Sequence, residues 1–511
     1  MMRINKKILL LYPEYPDTFW SFKHALKFVS KKAAFPPLGL LTVAAMLPAE
    51  WELKLVDMNT VRLSDKDIKW ADMVFVSAMV VQRDSANIAI KRCKKLGATV
   101  VAGGPLFTTR HEDFPCVDHF VLDEGEITLP PFLADLENGS LKRMYSSKVR
   151  PDINLTPVPR WDLVDKKKYS SMVVQYSRGC PYDCEFCDIV VLNGHMPRTK
   201  SREQMLRELD ALYQRGWRDS VFIVDDNFIG NKKKLKAEIL PAIIGWSQKK
   251  HSPFSFFTQT SINLADDREL TGLMVKANFN MVFIGIESPN KDSLTECGKS
   301  QNSSRDLISA VKTLQHAGLE VQGGFIVGFD SDPQSIFQDV INFVQKSGVV
   351  TAMVGLLNAP MGTRLHQRLE GEKRLTGSFS GNNTELSINF IPKMNINKLM
   401  DGYRSIVNTI YAPNQYYARV KTFLREYRPR RQKMSVLKSQ NLNAFFKSLW
   451  VLGIREKERW HFWDLVIWTT FKRPRSFSLS VSMAIYGFHF RKIAEANARQ
   501  LKLLQATALP V

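Results

Sequence analysis

Cys180, Cys184 and Cys187 stand within eight residues of one another in a chain of 511 residues that has only six cysteines. Thiols this close are poor disulfide partners. No secretory signal reads at the N-terminus, where the apolar run Ile8 to Tyr12 is short and ends at Pro13. The expected location is therefore cytoplasmic and reducing, where clustered cysteines act as metal or redox ligands. Iron–sulfur clusters usually take four thiolates, so three in a C-x3-C-x2-C pattern would leave one iron of a [4Fe–4S] cluster open to bind a substrate. The competing chemistry is a structural zinc site with His195 as fourth ligand. Cys297 stands apart and is expected to be an ordinary thiol.

A reactive loop needs a scaffold, and the hydrophobic pattern supplies an α/β one. Short apolar runs alternate with helical stretches from residue 8 to residue 126, as in an open parallel sheet. Ligands bind such sheets beyond the carboxyl ends of the strands, at the switch point of strand order. Asp57 and Asn59, Ser77, Gly103-Gly104-Pro105 and Glu124-Gly125-Glu126 all fall at expected strand ends. Prolines mark 150–171 as an extended linker. A second series then begins, with strands at 172–177, 220–226, 254–261, 281–288, 319–329 and 351–357 and helices between them. Six βα-type units make a partial (β/α)6, TIM-like barrel over 172–365, and the cysteines directly follow its first strand, at the mouth where barrel enzymes keep their sites. Residues 366–511 read as a mainly helical, basic and aromatic-rich domain, and residues 1–149 as a Rossmann-like one.

The motif Cys180-x3-Cys184-x-Phe186-Cys187, with an aromatic before the third cysteine, resembles the signature of the radical S-adenosylmethionine superfamily. That resemblance implies a [4Fe–4S] cluster on the three cysteines and S-adenosylmethionine chelated at the open iron, with Phe186 beside it. Carried along the barrel, it implies that Asp225 and Asp226 meet the methionine amino group. Thr258, Ser261 and Glu287 then make polar contacts to the ribose and carboxylate, and Gly324 and Gly328 let backbone approach adenine.

The first domain resembles the cobalamin-binding domain that precedes this barrel in one large subclass, through Phe35-Pro-Pro-Leu-Gly39, Ser77-Ala-Met79, Gly103-Gly-Pro105 and Leu122-Asp-Glu-Gly-Glu126. Cobalamin is then expected against Asn59, Ser77, Gly103, Gly104, Glu124 and Gly125. The wider cobalamin pattern Asp-x-His-x-x-Gly is here Asp57-Met-Asn59-Thr-Val-Arg62, so no cobalt-ligating histidine is available. The resemblance implies methylation of an unactivated carbon: a 5′-deoxyadenosyl radical takes hydrogen from the substrate, and methylcobalamin supplies the methyl group. Ring closure, rearrangement and oxidation by the same cofactors remain open alternatives. An external electron donor such as flavodoxin or ferredoxin is implied.

The net charge is +21, and residues 401–511 hold 20 Lys and Arg against 6 Asp and Glu, two-thirds of the excess. Such a balance suits an acidic partner or a membrane surface. A basic nucleic-acid-binding protein with a zinc site is the alternative of another class, but it leaves the cysteine loop unexplained. A tRNA methylthiotransferase would need three more cysteines in the first domain, which offers Cys93 and Cys116; nucleic acid is not expected. Trp460, Phe462, Trp463, Leu465, Val466, Ile467, Trp468 and Phe471 form an apolar block flanked by Arg455, Lys457, Arg459, Lys472, Arg473 and Arg475. This block suits either a peripheral contact with anionic lipid or a core helix with a solvated rim. The whole chain resembles the hopanoid methylase group, which implies a small, lipid-like substrate.

Overall fold

The computed structural model describes residues 5–428 and 439–507. The chain divides into two compact units. The first comprises Met1–Pro16, Lys32–Pro181 and Asp188–Asp225, and the second Asp17–Lys31, Tyr182–Cys187 and Asp226–Val511.

The first unit is built on a parallel sheet of β1 (Lys7–Tyr12), β2 (Glu52–Asp57), β3 (Met73–Ser77), β4 (Thr99–Gly103), β5 (His119–Val121) and β6 (Met144–Tyr145), in the order β2-β1-β3-β4-β5-β6. In β1, Ile8, Leu9, Leu10 and Leu11 are all fully buried. A strand covered on both faces needs a continuous apolar run rather than alternation. Leu9 and Leu11 face one core, with Val74, Val76, Val100 and Phe107. Ile8 and Leu10 face the other, with Leu40, Phe75 and Phe132. Strand order reverses between β1 and β3, so a ligand crevice belongs at the carboxyl ends of those strands.

The stretch 150–171, expected as an extended linker, is instead folded down onto the first unit. Its short 3-10 turns at Ile153–Leu155, Trp161–Leu163 and Lys166–Lys168 bury Ile153, Trp161 and Tyr169. The Lys168 carbonyl accepts from the Lys32 and Ala33 amides, and the Tyr169 hydroxyl donates to Asp57 at 2.8 Å. Prolines fixed the local backbone, but buried aromatics decided its course.

The six later strands appear as expected. β7 (Met172–Val174) pairs in parallel with β10 (Ser220–Ile223) in the first unit. In the second, β11 (Ser255–Thr260), β12 (Phe279–Glu287), β13 (Glu320–Val327) and β14 (Ala352–Leu356) pair in sequence order, all parallel. β7 is shorter than its apolar pattern because Asp225 accepts from the Tyr176 amide at 2.7 Å and from the Ser177 hydroxyl at 2.5 Å. Released from the sheet, β8 (Ser177–Arg178) forms a small antiparallel ribbon with β9 (Arg198–Thr199). The intervening helices start on side-chain caps: Ser201 accepts from the Gln204 amide, Asp267 from Leu270, and Asp306 from Ile308 and Ser309.

The C-terminal part of the second unit is helical. The helix Arg459–Lys472 buries Phe462, Leu465 and Val466 but leaves Trp460, Ile467 and Phe471 exposed, so the apolar block is neither wholly core nor wholly surface. The early segment Asp17–Lys31 belongs to this unit. There Phe19 stacks on Phe490 at 4.2 Å between ring centroids, and its carbonyl meets His489 Nε2 at 3.0 Å.

Candidate active site

Gly179 opens the cysteine loop with φ +97, and a Cβ there would stand 2.7 Å from the Met196 carbonyl oxygen. Only glycine fits this turn. The Cys180 amide donates to the Gly194 carbonyl at 3.1 Å, which closes the ribbon end. Arg178 and Arg198, one on each ribbon strand, both reach Glu124: Arg178 lies 2.7 Å from Glu124 and 2.8 Å from Glu126, and Arg198 lies 2.7 Å from Glu124. Burial alone would raise the Glu126 carboxyl, but the Arg178 hydrogen bonds and charge, with a bond from Thr156, outweigh it and hold it at about 2.

The rest of the loop is fastened within the second unit. The Cys187 amide donates to Cys184 O at 3.1 Å, forming a turn. The Glu185 amide donates to Cys297 O at 2.9 Å, and Glu185 O accepts from the Leu365 amide at 2.9 Å. Arg368 pairs with the Glu185 carboxylate at 2.7 Å, and Arg364 donates to Asp183 O at 2.5 Å. Tyr182 accepts at its hydroxyl from Asn263 at 2.7 Å, and Asn263 in turn accepts from the Ser261 hydroxyl.

Cys180, Cys184 and Cys187 are half-buried, whereas Cys297 is buried and its thiol is pushed up by that burial. Among the described residues, no three or more His, Cys, Asp and Glu side chains gather as a ready-made single-ion site. Three thiols along one tightly held loop are suited to separate irons of one cluster.

The residues expected around S-adenosylmethionine fall into two groups. Thr258, Ser261 and Glu287 are buried at or just after the carboxyl ends of β11 and β12. Gly324 lies on β13 with its Cα against Phe283, where a Cβ would come within 2.9 Å of the ring, and Gly328 just beyond it has φ +107. Gly324 is required by the Phe283 ring and Gly328 by its positive φ. Asp225 is spent on Tyr176 and Ser177, while Asp226 is half-buried. Phe186 packs into an apolar cluster, 6.2 Å from Phe329 between ring centroids.

The expected cobalamin residues lie at or just after the carboxyl ends of strands in the first sheet. Gly103 is bare against Val121 O, where a Cβ would come within 2.5 Å, and Gly104, at φ +93, is bare against Ser77 Oγ at 2.6 Å. Both positions are glycine because Val121 O and Ser77 Oγ already stand where a Cβ would go, so β4 ends without side chains at its carboxyl edge. Asn59 is committed elsewhere: its Oδ1 accepts from the Tyr15 amide, and its Nδ2 donates to Asp57 and Pro13 O. Glu124 is held by Arg178 and Arg198, and Gly125 begins the helix Gly125–Glu137.

Sequence reasoning missed Arg178, Arg198, Asn263 and Arg368. Arg178 carried a legible signal, a cation immediately before the glycine that opens the cysteine loop. The others are recognisable only once folding has brought their partners to them.

Residues 29–133 match the B12 binding domain, 174–344 the Radical SAM superfamily and 363–502 a Domain of unknown function (DUF4070). An uncharacterized methyltransferase of Synechocystis sp. is 40% identical over 500 residues, covering 97% of this chain and 93% of the relative. The hopanoid C-2 methylase of Rhodopseudomonas palustris is 31% identical over 476 residues, covering 91% and 89%. The solved structure of the cobalamin-dependent S-adenosylmethionine radical enzyme OxsB with aqua-cobalamin bound matches with a TM-score of 0.63 at 15% identity, over 98% of this chain and 81% of that one, which shows the shared fold. With a B12-binding sheet, a radical SAM barrel and a helical C-terminal region in one chain, the protein belongs to the cobalamin-dependent radical S-adenosylmethionine methyltransferase family.

Proposed function

We propose that the enzyme methylates an unactivated carbon of a hydrophobic, lipid-like small molecule, which it meets at a membrane surface. A flavodoxin or ferredoxin serves as external electron donor in this reading. Cys180, Cys184 and Cys187 hold the [4Fe–4S] cluster, and Ser77, Gly103 and Gly104 form the bed for cobalamin. When bound, these groups supply one-electron cleavage of S-adenosylmethionine and methyl delivery to carbon. The protein holds the cysteine loop fixed, seats the substrate and keeps water out.

The carrying observation is the pair of exposed apolar helix faces in the C-terminal region. Leu442, Phe446, Trp450 and Ile454 recur every four residues along Ser439–Trp450 and Val451–Arg455, and all are exposed. Trp460, Ile467 and Phe471 share one face of the next helix, Phe471 with 80% of its surface in solvent. Arg455, Lys457, Arg459, Lys472, Arg473 and Arg475 are exposed around them. Aromatics beside clustered cations suit an anionic bilayer. No helix among the described residues is long and apolar enough to cross a membrane, so the contact is peripheral. The hopanoid named for the Rhodopseudomonas relative is consistent with a lipid-like substrate. The test is anaerobic incubation with S-adenosylmethionine, cobalamin, a reductant and a lipid extract, followed by mass spectrometry. A new methylated lipid is expected. Methylation confined to water-soluble metabolites would overturn the substrate class.

A further inference from the structure

Lys299 is a lysine that ordinary packing would not choose. Its side chain is only 12% exposed, and it pairs at 2.7 Å with Glu287, itself 9% exposed. Burying such a pair costs desolvation that an apolar side chain of similar volume would avoid. The surrounding backbone is shaped to keep it. Gly285 leaves the space, since a Cβ there would come within 2.9 Å of Lys299 Nζ. Asn302 donates to the Gly285 and Ile286 carbonyls at 3.0 Å and fixes that strand end. Glu287 is held at φ +65, a conformation few side-chain-bearing residues adopt.

The same short segment touches the cysteine loop. Cys297 O accepts from the Glu185 amide, and Gly298, at φ +72, passes so near that a Cβ would stand 3.0 Å from Asp183 O. The Lys299 amide donates to Leu294 O at 2.8 Å, which pins the backbone from which the ammonium projects. The Lys299 ammonium lies within electrostatic reach of Cys184 and Cys187 as well as of Glu287.

We propose that Lys299, braced by Glu287, is a positioning residue that sets a fixed positive charge beside Cys184 and Cys187 and raises the reduction potential of the cluster they hold. This rests on the assignment of the cluster to the three cysteines. Reduction adds negative charge, so a nearby ammonium favours the reduced form, and the Glu287 carboxylate moderates that effect. The lysine thereby makes the cluster easier for a biological donor to reduce.

The experiment is a potentiometric titration of the reconstituted cluster followed by electron paramagnetic resonance. Lys299→Met is expected to keep its iron and to lower the reduced-to-oxidised ratio at fixed potential about tenfold, ~59 mV for one electron. Lys299→Arg is expected to stay near the native value. Glu287→Gln, which keeps the lysine and removes its counter-charge, is expected to shift the opposite way to Lys299→Met. Midpoints unchanged in both Lys299→Met and Glu287→Gln, or shifted in the same direction, would reduce the pair to a structural brace and overturn the proposal. Should Lys299→Met lose its iron, the opposed shifts expected of Glu287→Gln decide alone: a Glu287→Gln midpoint that stays put or falls overturns it. Iron retention in the triple Cys180→Ala, Cys184→Ala, Cys187→Ala variant would instead overturn the underlying cluster assignment.

Discussion

At the scale of single residues, Glu320, at the start of β13, is a buried acid that the proposed chemistry does not use. Its carboxylate accepts from Gln322 Nε2 at 3.3 Å and lies within electrostatic reach of Tyr416, Tyr427 and Tyr486. Burial pushes its carboxyl up to about 7, only partly countered by Gln322. The folded state therefore binds this proton more tightly than the unfolded chain. The resulting stability is fully present below the unfolded value and is lost as pH rises towards 7, by roughly 3 kcal/mol. Glu320→Gln is expected to flatten that loss and raise the melting temperature at pH 8 while changing little at pH 4.5; equal melting shifts at both pH values would refute this. The cysteines were legible because their spacing alone excludes most other roles. Glu320 and Lys299 were not, because a charged residue reads the same in sequence whether its side chain ends in solvent or in a core. Asp225 illustrates the converse: its position at a strand end was legible, but not that the backbone of residues 176 and 177 would claim its carboxylate.

At the scale of elements, central parallel strands such as β1 and β3 were readable because both faces are buried and the apolar runs are unbroken. Strand ends were less so, since a side-chain acceptor shortened β7 and aspartate caps moved helix starts. The C-terminal helices show the limit of one-dimensional reading. In Arg459–Lys472 the apolar residues run nearly all round, and only folding divides Phe462 and Leu465, fully buried, from Trp460 and Phe471, 71% and 80% exposed. The stripe at residues 442, 446, 450 and 454 was missed because it is interleaved with apolar residues that fold inward, such as Ala444 and Leu452. These two faces predict binding to anionic vesicles in flotation at low salt, weakened at physiological salt by screening. Replacing Trp450 and Phe471 together by serine is expected to cut the bound fraction severalfold with little loss of stability, since both side chains are exposed. Absence of the protein from anionic vesicles at both salt concentrations would remove the membrane from the proposed function and leave the catalytic assignment standing.

At the scale of the whole molecule, the packing of Phe19 on Phe490 joins positions 471 residues apart. Trp20 strengthens the tie by donating to Met353 Sδ at 3.0 Å. The consequence lies in biosynthesis. Chains emerge at roughly 5–20 residues per second, so the aromatic segment Asp17–Lys31 waits roughly half a minute to a minute and a half for the helix that covers it. During that interval its rings are open to chaperones, proteases and neighbouring nascent chains. A premature stop near residue 476 would leave the B12-binding sheet and barrel strands complete in sequence but withhold this cover for good. Limited proteolysis of such a truncated chain is expected to cut first within residues 17–31, a segment protected in the full-length protein. Protection of that segment in the truncated chain would show that the early contacts hold without their late partner. Quality control of this enzyme would thus be exercised at residues 17–31 and decided by a ring 471 residues further along the chain.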